Sequence, residues 1–151
     1  MPIKIKKKYV IDKLLGSGAN GKVYLGFSKS KTENWKKYTV KIIRKDATRS
    51  DYGDSSESDI YKEVEIMKKI KHNCIIRIIE VLEMEKILAI VLELAEGGEL
   101  FDYVLEDFHK KSFNEKIAKL QFFQIISAID YLHSRNICHR DIRLENIFRT
   151  I

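Results

Sequence analysis

From Tyr9 onward, short β-prone apolar runs alternate with glycine or polar breaks. YVIDKLL, residues 9–15, predicts a strand, the glycine-rich stretch after it a turn, and KVYLGFS, residues 22–28, the returning strand. A polar connection, SKSKTENWKK, leads into a third strand, YTVKIIR. Two further apolar runs, CIIRIIEVLEME and KILAIVLEL, predict strands joined by a tight turn near Glu85. The period changes in DIYKEVEIMKKIK, from about Asp59 to Lys71, where Ile60, Val64, Met67 and Ile70 recur at helical spacing behind Ser58 or Asp59 as N-cap. Glu63 shares that apolar stripe, and a carboxylate there is costly to bury unless a cation meets it.

Beyond residue 94 the pattern turns helical. AEGGELFDYV gives a glycine pair followed by a short helix, and KSFNEKIAKLQFFQIISAIDYLHSRN a long one, with Ser112 and Glu115 spelling a capping box. In the long helix Ile117, Leu120, Phe123, Ile125, Ile126, Ile129 and Leu132 wrap around much of the circumference, so partners are expected on more than one side. The exposed apolar surface of such a helix would also allow self-association.

Length and composition narrow the class without naming it. At 151 residues, 44% hydrophobic and 33% charged, the chain is one modest globular domain or a piece of a larger one. The net charge of +6 is partly local, in Lys4, Lys6, Lys7 and Lys8. No aromatic residues interleave with that cluster as an RNA-binding sheet requires, so no nucleic-acid partner is expected. No apolar run is long enough to span a bilayer, so no membrane partner is expected either. Cys74 and Cys138 lack any metal-ligand or disulfide-framework spacing, which fits an intracellular setting, cytoplasmic or nuclear.

The candidate chemistry begins in LLGSGANGKVYLG, Leu14 to Gly26. Three unrelated phosphate loops share similar spellings. A Walker loop needs a hydroxyl after its lysine for magnesium, and Val23 stands there instead. The dinucleotide fingerprint matches Gly16, Gly18 and Gly21, yet both of these loops must open a helix, whereas Val23, Tyr24 and Leu25 favour a strand. A glycine hairpin between antiparallel strands, folded over a nucleotide as a flap of bare backbone N–H groups, accommodates both the strand and the valine.

With that hairpin, the Tyr38-Thr39-Val40-Lys41 strand and His139-Arg140-Asp141-Ile142-Arg143-Leu144-Glu145-Asn146, the chain resembles a eukaryotic protein kinase of the serine/threonine type over nearly its whole length. The resemblance implies an α+β, protein-kinase-like fold: a basic tail over 1–8, a five-stranded antiparallel N-lobe with one helix over 9–92, a hinge over 93–96, and an incomplete helical C-lobe over 97–151. It implies ATP and Mg2+ as cofactors and a protein with a Ser or Thr hydroxyl as substrate. Leu15, Gly16, Ser17, Gly18, Ala19, Asn20, Gly21, Lys22 and Val23 would cover the nucleotide. Lys41 would hold the α- and β-phosphates and pair with Glu63. Thr39 and Phe148 would flank the adenine, Leu92 would close the back of its pocket, and Glu93 to Ala95 would read its edge. Glu99 would meet ribose or a basic substrate. Asp141 would accept the hydroxyl proton, Asn146 would ligate magnesium, and Arg143 would sit near the γ-phosphate.

HNCIIRI and VLELAEGGELFDYV are most similar to DNA-damage checkpoint kinases of the calcium/calmodulin-kinase group. Four residues depart from the family pattern, among them Leu144, which replaces the usual proline. Arg143 replaces a lysine, and its planar guanidinium implies slower turnover rather than lost nucleotide binding. Thr39 replaces an alanine and Phe148 a leucine-like residue, which narrows the base slot. The chain also stops five residues after Asn146, before any Asp-Phe-Gly motif, so it is expected to lack the second magnesium ligand and to transfer phosphate poorly as written. The rival expectation is a truncated kinase-like module that binds nucleotide or protein without catalysis.

Overall fold

A computed structural model describes residues 3–18, 21–29, 34–45, 57–110 and 114–150. These fall into two compact units, Met1–Ile70 with Ile76–Leu94, and Lys71–Ile75 with Ala95–Ile151.

The first unit is an antiparallel sheet carrying one helix. Its strands are β1 (Ile3–Ile5), β2 (Tyr9–Gly18), β3 (Gly21–Lys29), β4 (Trp35–Arg44), β5 (Ile78–Glu83) and β6 (Ile87–Leu92), in spatial order β1-β2-β3-β4-β6-β5. Among the described residues the sheet thus has six strands rather than the expected five. The extra one lies where a basic tail was expected: Lys6 and Lys7 take left-handed backbone angles (φ 46° and 57°), and Lys8 N–H closes the turn on the Ile5 carbonyl at 3.0 Å. Ile5 is buried. Three residues with a lysine at their centre are too short a run to show strand alternation against the surrounding charge.

Alternation along β4 and β6 gives the sheet two apolar faces. On one, Val40, Ala89 and Val91 pack with Tyr9, Ile11, Ile5 and Leu82. On the other, Ile43, Leu88 and Ile90 pack with Ile60 and Val64 of α1 (Glu57–Lys69). The helix therefore presents the expected stripe, with Ile70 buried just past its end and Met67 half-buried.

The sheet curls far enough for β2 to reach β5, which is not its neighbour in the sheet. The Tyr9 hydroxyl donates to Glu80 Oε2 at 2.8 Å, Lys8 Nζ bridges to the same oxygen, and the Tyr9 ring stands edge-on to Tyr38 at 5.5 Å. A phenol this buried needs a hydrogen-bond partner, and Glu80 supplies it across the curl.

The second unit contains α2 (Leu100–Lys110), α3 (Glu115–His133) and a 3-10 turn at Leu144–Asn146. Ser112, expected to cap α3, lies outside the described residues. The observed cap is Asn114, whose side chain accepts the N–H groups of Lys116 and Ile117 at 3.0 and 3.3 Å. The segment Lys71–Ile75 belongs to this unit because it docks on α3. The Tyr131 hydroxyl accepts the Lys71 N–H at 2.9 Å, the His72 ring lies 4.9 Å from that of Tyr131, and His72 Nε2 is 3.2 Å from Ser127 Oγ. Of the α3 apolar positions only Leu132 is buried, while Leu120, Phe122 and Phe123 are exposed. No helix among the described residues is long and apolar enough to cross a membrane.

The Tyr9–Glu80 clasp predicts a pH signature. Burial, reinforced by the hydrogen bond to Glu80, pushes the Tyr9 phenol up to about 12. Its native value lies above its ordinary one, so its stabilising contribution is complete below pH 10 and disappears as pH rises through 12. Unfolding by urea is expected to become easier across that window, and Tyr9→Phe to remove Tyr9's share of the change while costing about 1–3 kcal/mol at neutral pH. Equal stability of the two proteins at pH 8 would show that the clasp does not hold the curl.

Candidate functional site

The glycine stretch forms a hairpin. Gly16 pairs with Val23, Ser17 with Lys22 and Gly18 with Gly21, and the chain continues as strand through Lys29. Ala19 and Asn20 lie outside the described residues. A strand after Lys22 removes both the Walker and the dinucleotide readings, because each needs a helix N-terminus facing the phosphate.

The glycines of this hairpin are present for different reasons. Gly21 has φ 121°, and a Cβ built there would meet the Ile42 carbonyl oxygen at 2.4 Å, so the fold itself requires glycine. At Gly16 and Gly18 a Cβ would meet nothing within 4 Å, and neither has a left-handed backbone. Nothing in the described structure excludes side chains at those two positions. Bare backbone there leaves room for something to approach closely.

Strand register places the next residues. Lys41 on β4 is directly opposite Val23 on β3 and Ile90 on β6, and Thr39 is opposite Leu25 and Leu92. Tyr24, Val40 and Val91 belong to the other apolar face, so Val23, Thr39, Lys41 and Leu92 all share the face on which α1 packs. Lys41 is a half-buried cation between two aliphatic side chains, with no carboxylate of the described residues at ion-pair distance. The expected pair with Glu63 is not made. Glu63 stands exposed at the rim of α1, although that helix faces the correct side of the sheet.

Another carboxylate anchors α1. Glu83 Oε1 on β5 accepts from the Tyr61 hydroxyl at 2.6 Å and from Lys45 Nζ at 2.7 Å. The sequence offered no sign of this cluster, since its members lie on different elements with no motif spacing. At the end of β6, the Glu93 N–H donates to the Arg77 carbonyl at 3.0 Å, and Arg77 Nε lies 4.0 Å from the Glu93 carboxylate.

The remaining candidates belong to the second unit. Ala95 is half-buried there. Gly97 to Leu100 run antiparallel to Ile147–Arg149: Gly97 N–H bonds to the Arg149 carbonyl at 2.7 Å, Arg149 N–H to Gly98 at 2.9 Å, and Leu100 N–H to Ile147 at 2.7 Å. Glu99 and Phe148 are opposite each other in this short ladder. The Arg149 guanidinium lies 3.6 Å from the centre of the Tyr103 ring and secures the same junction.

That ladder fixes one end of a compact polar loop. Asn146 Nδ2 donates to the Asp141 carbonyl at 3.0 Å and to its Oδ2 at 2.6 Å. The Asp141 N–H donates to His139 Nδ1 at 3.2 Å, and Arg140 between them is held at φ 68°, a strained angle for a residue with a side chain. Arg143 Nε lies 3.9 Å from both Asp141 Oδ1 and Glu145 Oε2, so the guanidinium sits between two acids. With its amide nitrogen committed to Asp141, Asn146 keeps its oxygen as an acceptor for a hard cation. Among the described residues no cluster of three His, Cys, Asp or Glu could hold a metal unaided. A hard cation held by that oxygen would need most of its ligands from elsewhere.

A sequence model of the protein kinase domain matches residues 9–150. Serine/threonine-protein kinase KIN4 of Saccharomyces cerevisiae is 38% identical over 141 residues, covering 92% of this chain and 17% of that protein. Myosin light chain kinase A of Dictyostelium discoideum is 38% identical over 143 residues, covering 95% of this chain and 45% of the relative. Calcium/calmodulin-dependent protein kinase type 1 of Caenorhabditis briggsae is 33% identical over 143 residues, covering 95% and 37%. The chain spans less than half the length of each of these relatives. It belongs to the protein kinase domain family, of the serine/threonine type.

The ladder beside the polar loop predicts a sensitive position. A Cβ at Gly97 would lie 2.7 Å from the Arg149 carbonyl oxygen and 2.9 Å from its Cβ. Gly97→Ala is expected to destabilise the chain by about 1–3 kcal/mol in urea unfolding. Unchanged stability would mean that the strands separate freely and do not fix the loop.

Proposed function

We propose that the chain is the ATP-binding part of a serine/threonine kinase domain, transferring the γ-phosphate of ATP to protein hydroxyls when complete. The observation that carries this reading is the pairing of unneeded glycines with an unpaired cation. Among the described residues, Gly16 and Gly18 leave backbone bare where the fold leaves room for side chains, and Lys41 has no anion at ion-pair distance on the face that also carries Val23, Thr39 and Leu92. A triphosphate supplies the missing charge, the hairpin N–H groups supply donors, and the aliphatic positions receive the base. Glu93 and Ala95, in a hinge over 93–96, would read the base edge, with Glu99 at the ribose or a basic substrate.

The polar loop has the groups for the other half of the reaction. Asp141 accepts a hydroxyl proton and aims the oxygen, and Arg143 adds positive charge near the transferred group. Asn146 would hold Mg2+, which when bound neutralises phosphate charge. Membership of the calcium/calmodulin-kinase group is supported by the name of one relative, calcium/calmodulin-dependent protein kinase type 1, and a checkpoint-like subgroup by HNCIIRI and VLELAEGGELFDYV.

Calorimetric titration with a non-hydrolysable ATP analogue and Mg2+ tests the binding. Lys41→Met is expected to weaken it at least about tenfold, since a charge-assisted phosphate contact accounts for roughly 1.5–3 kcal/mol. The same substitution removes a half-buried unpaired cation, so unfolding stability should hold within about 0.5 kcal/mol or rise. Undiminished affinity in Lys41→Met would contradict the assignment. The unmade Lys41–Glu63 pair favours a second reading, a module that holds nucleotide without transferring phosphate. Incorporation of γ-phosphate above an Asp141→Asn control excludes that reading, and incorporation no greater than the control supports it.

A further inference from the structure

The turn between β1 and β2 is built against the preferences of its own residues. It closes with the Lys8 N–H on the Ile5 carbonyl at 3.0 Å, and both central residues have positive φ, 46° at Lys6 and 57° at Lys7. A turn with that pair of signs favours Asn and Gly, because a Cβ in the left-handed region crowds the following carbonyl oxygen. Two lysines in succession meet that crowding twice and add the repulsion of adjacent ammonium groups. The flanks hold the turn in place: Ile5 and Tyr9 are 2% and 1% exposed, and Lys8 is tied to Glu80.

The neighbouring lysines have accounts of their own. Lys8 bridges to Glu80. Lys4 lies on β1, a short strand at the end of the sheet, where a charged side chain discourages addition of a foreign strand. Neither account extends to Lys6 and Lys7. Both are exposed, and neither makes an ion pair or hydrogen bond with a described residue. The carboxylates that Lys6 influences are committed elsewhere, Glu80 to Lys8 and the Tyr9 hydroxyl, Glu83 to Lys45 and the Tyr61 hydroxyl. Lys8 holds the Glu80 carboxyl, and Lys45 the Glu83 carboxyl, below the usual carboxylate range, with Lys6 a weak contributor to both.

We propose that the Lys6–Lys7 turn is a docking point for a short acidic peptide segment of a partner protein, presenting two uncompensated ammonium groups on a fixed, strained tip. Strain kept where a better turn sequence exists points to a use for the side chains themselves. Two cations also select the partner. Anchoring to an anionic membrane takes clusters of about four to eight. A single-stranded nucleic acid needs rings to stack on beside the cations. Here Tyr9 is buried edge-on to Tyr38, and exposed Trp35 stands on β4, two strands beyond β2. Adjacent Asp or Glu carboxylates need neither more cations nor a ring. This site does not rest on the nucleotide reading above.

The test measures stability and binding together on the whole chain. Lys6→Asn combined with Lys7→Gly gives the turn the residues it favours and removes both charges. Its unfolding constant in urea is expected to fall about tenfold as the strain is relieved. Its affinity for a fluorescent hexaglutamate peptide at low salt should also fall about tenfold, because two exposed ion pairs are lost. Lys6→Arg combined with Lys7→Arg should keep both the binding and the strain. Lys68→Gln combined with Lys116→Gln removes the same charge from α1 and α3 and should change the affinity less than about twofold. If Lys6→Asn with Lys7→Gly leaves the chain no more stable, the lysines are not strained and the proposal is overturned. Undiminished binding by that variant, or an equal loss on substituting Lys68 and Lys116, refutes the site. Tighter binding of phosphatidylserine vesicles or of an oligouridylate through the same two lysines overturns the choice of partner.

Discussion

The two apolar faces of the first unit's sheet dictate where a single ammonium group, that of Lys41, must stand. Lys41 cannot be moved off that face without shifting β4 by one residue, which would also expose Val40 and turn Ile43 away from α1. Register is thus fixed by the two apolar faces together, and the lysine is held in place by burial that it does not itself contribute. Its lateral neighbours, Val23 and Ile90, offer it no counter-charge. The same register that builds the core leaves a cation without a counter-charge among the described residues, in a sheet whose β2–β3 hairpin has two glycines that the core does not need.

The curl of the sheet and the polar loop solve related problems by different means. In the first unit the clasp of Lys8 and Tyr9 on Glu80 joins strands that are not neighbours, so the face containing Val40 and Val91 is enclosed. In the second unit the loop around Asp141 has little apolar burial of its own. Its geometry comes from hydrogen bonds: Asn146 to Asp141, Asp141 N–H to His139, and the ladder between Gly97–Leu100 and Ile147–Arg149. Backbone strain at Arg140 is sustained by those bonds.

Much of this was legible in the chain because local rules and tertiary packing agree. Alternation located β2 through β6 and the helical period located α1, with ends shifted by a few residues. The valine after Gly21-Lys22 distinguished a hairpin from a helix-opening loop. What stayed hidden depends on contacts across the fold. β1 is three residues inside a lysine run, and its burial comes from partners on β2 and beyond. The capping box at Ser112 and Glu115 matched a spacing rule, yet Asn114 is the residue whose side chain reaches the free N–H groups. Glu63 fell correctly on the sheet-facing helix, yet it stands exposed at that helix's rim and makes no ion pair with Lys41, a matter of tertiary placement that no motif spacing encodes.

The central claim is that Lys41, and no other lysine on this basic chain, faces the phosphates of a bound nucleotide. An ATP acyl-phosphate that acylates the lysine beside its triphosphate reports this directly by peptide mass spectrometry. The account predicts acylation concentrated at Lys41 and suppressed by free ATP. Acylation spread over Lys13, Lys22 and Lys36, with no protection by ATP, would contradict it.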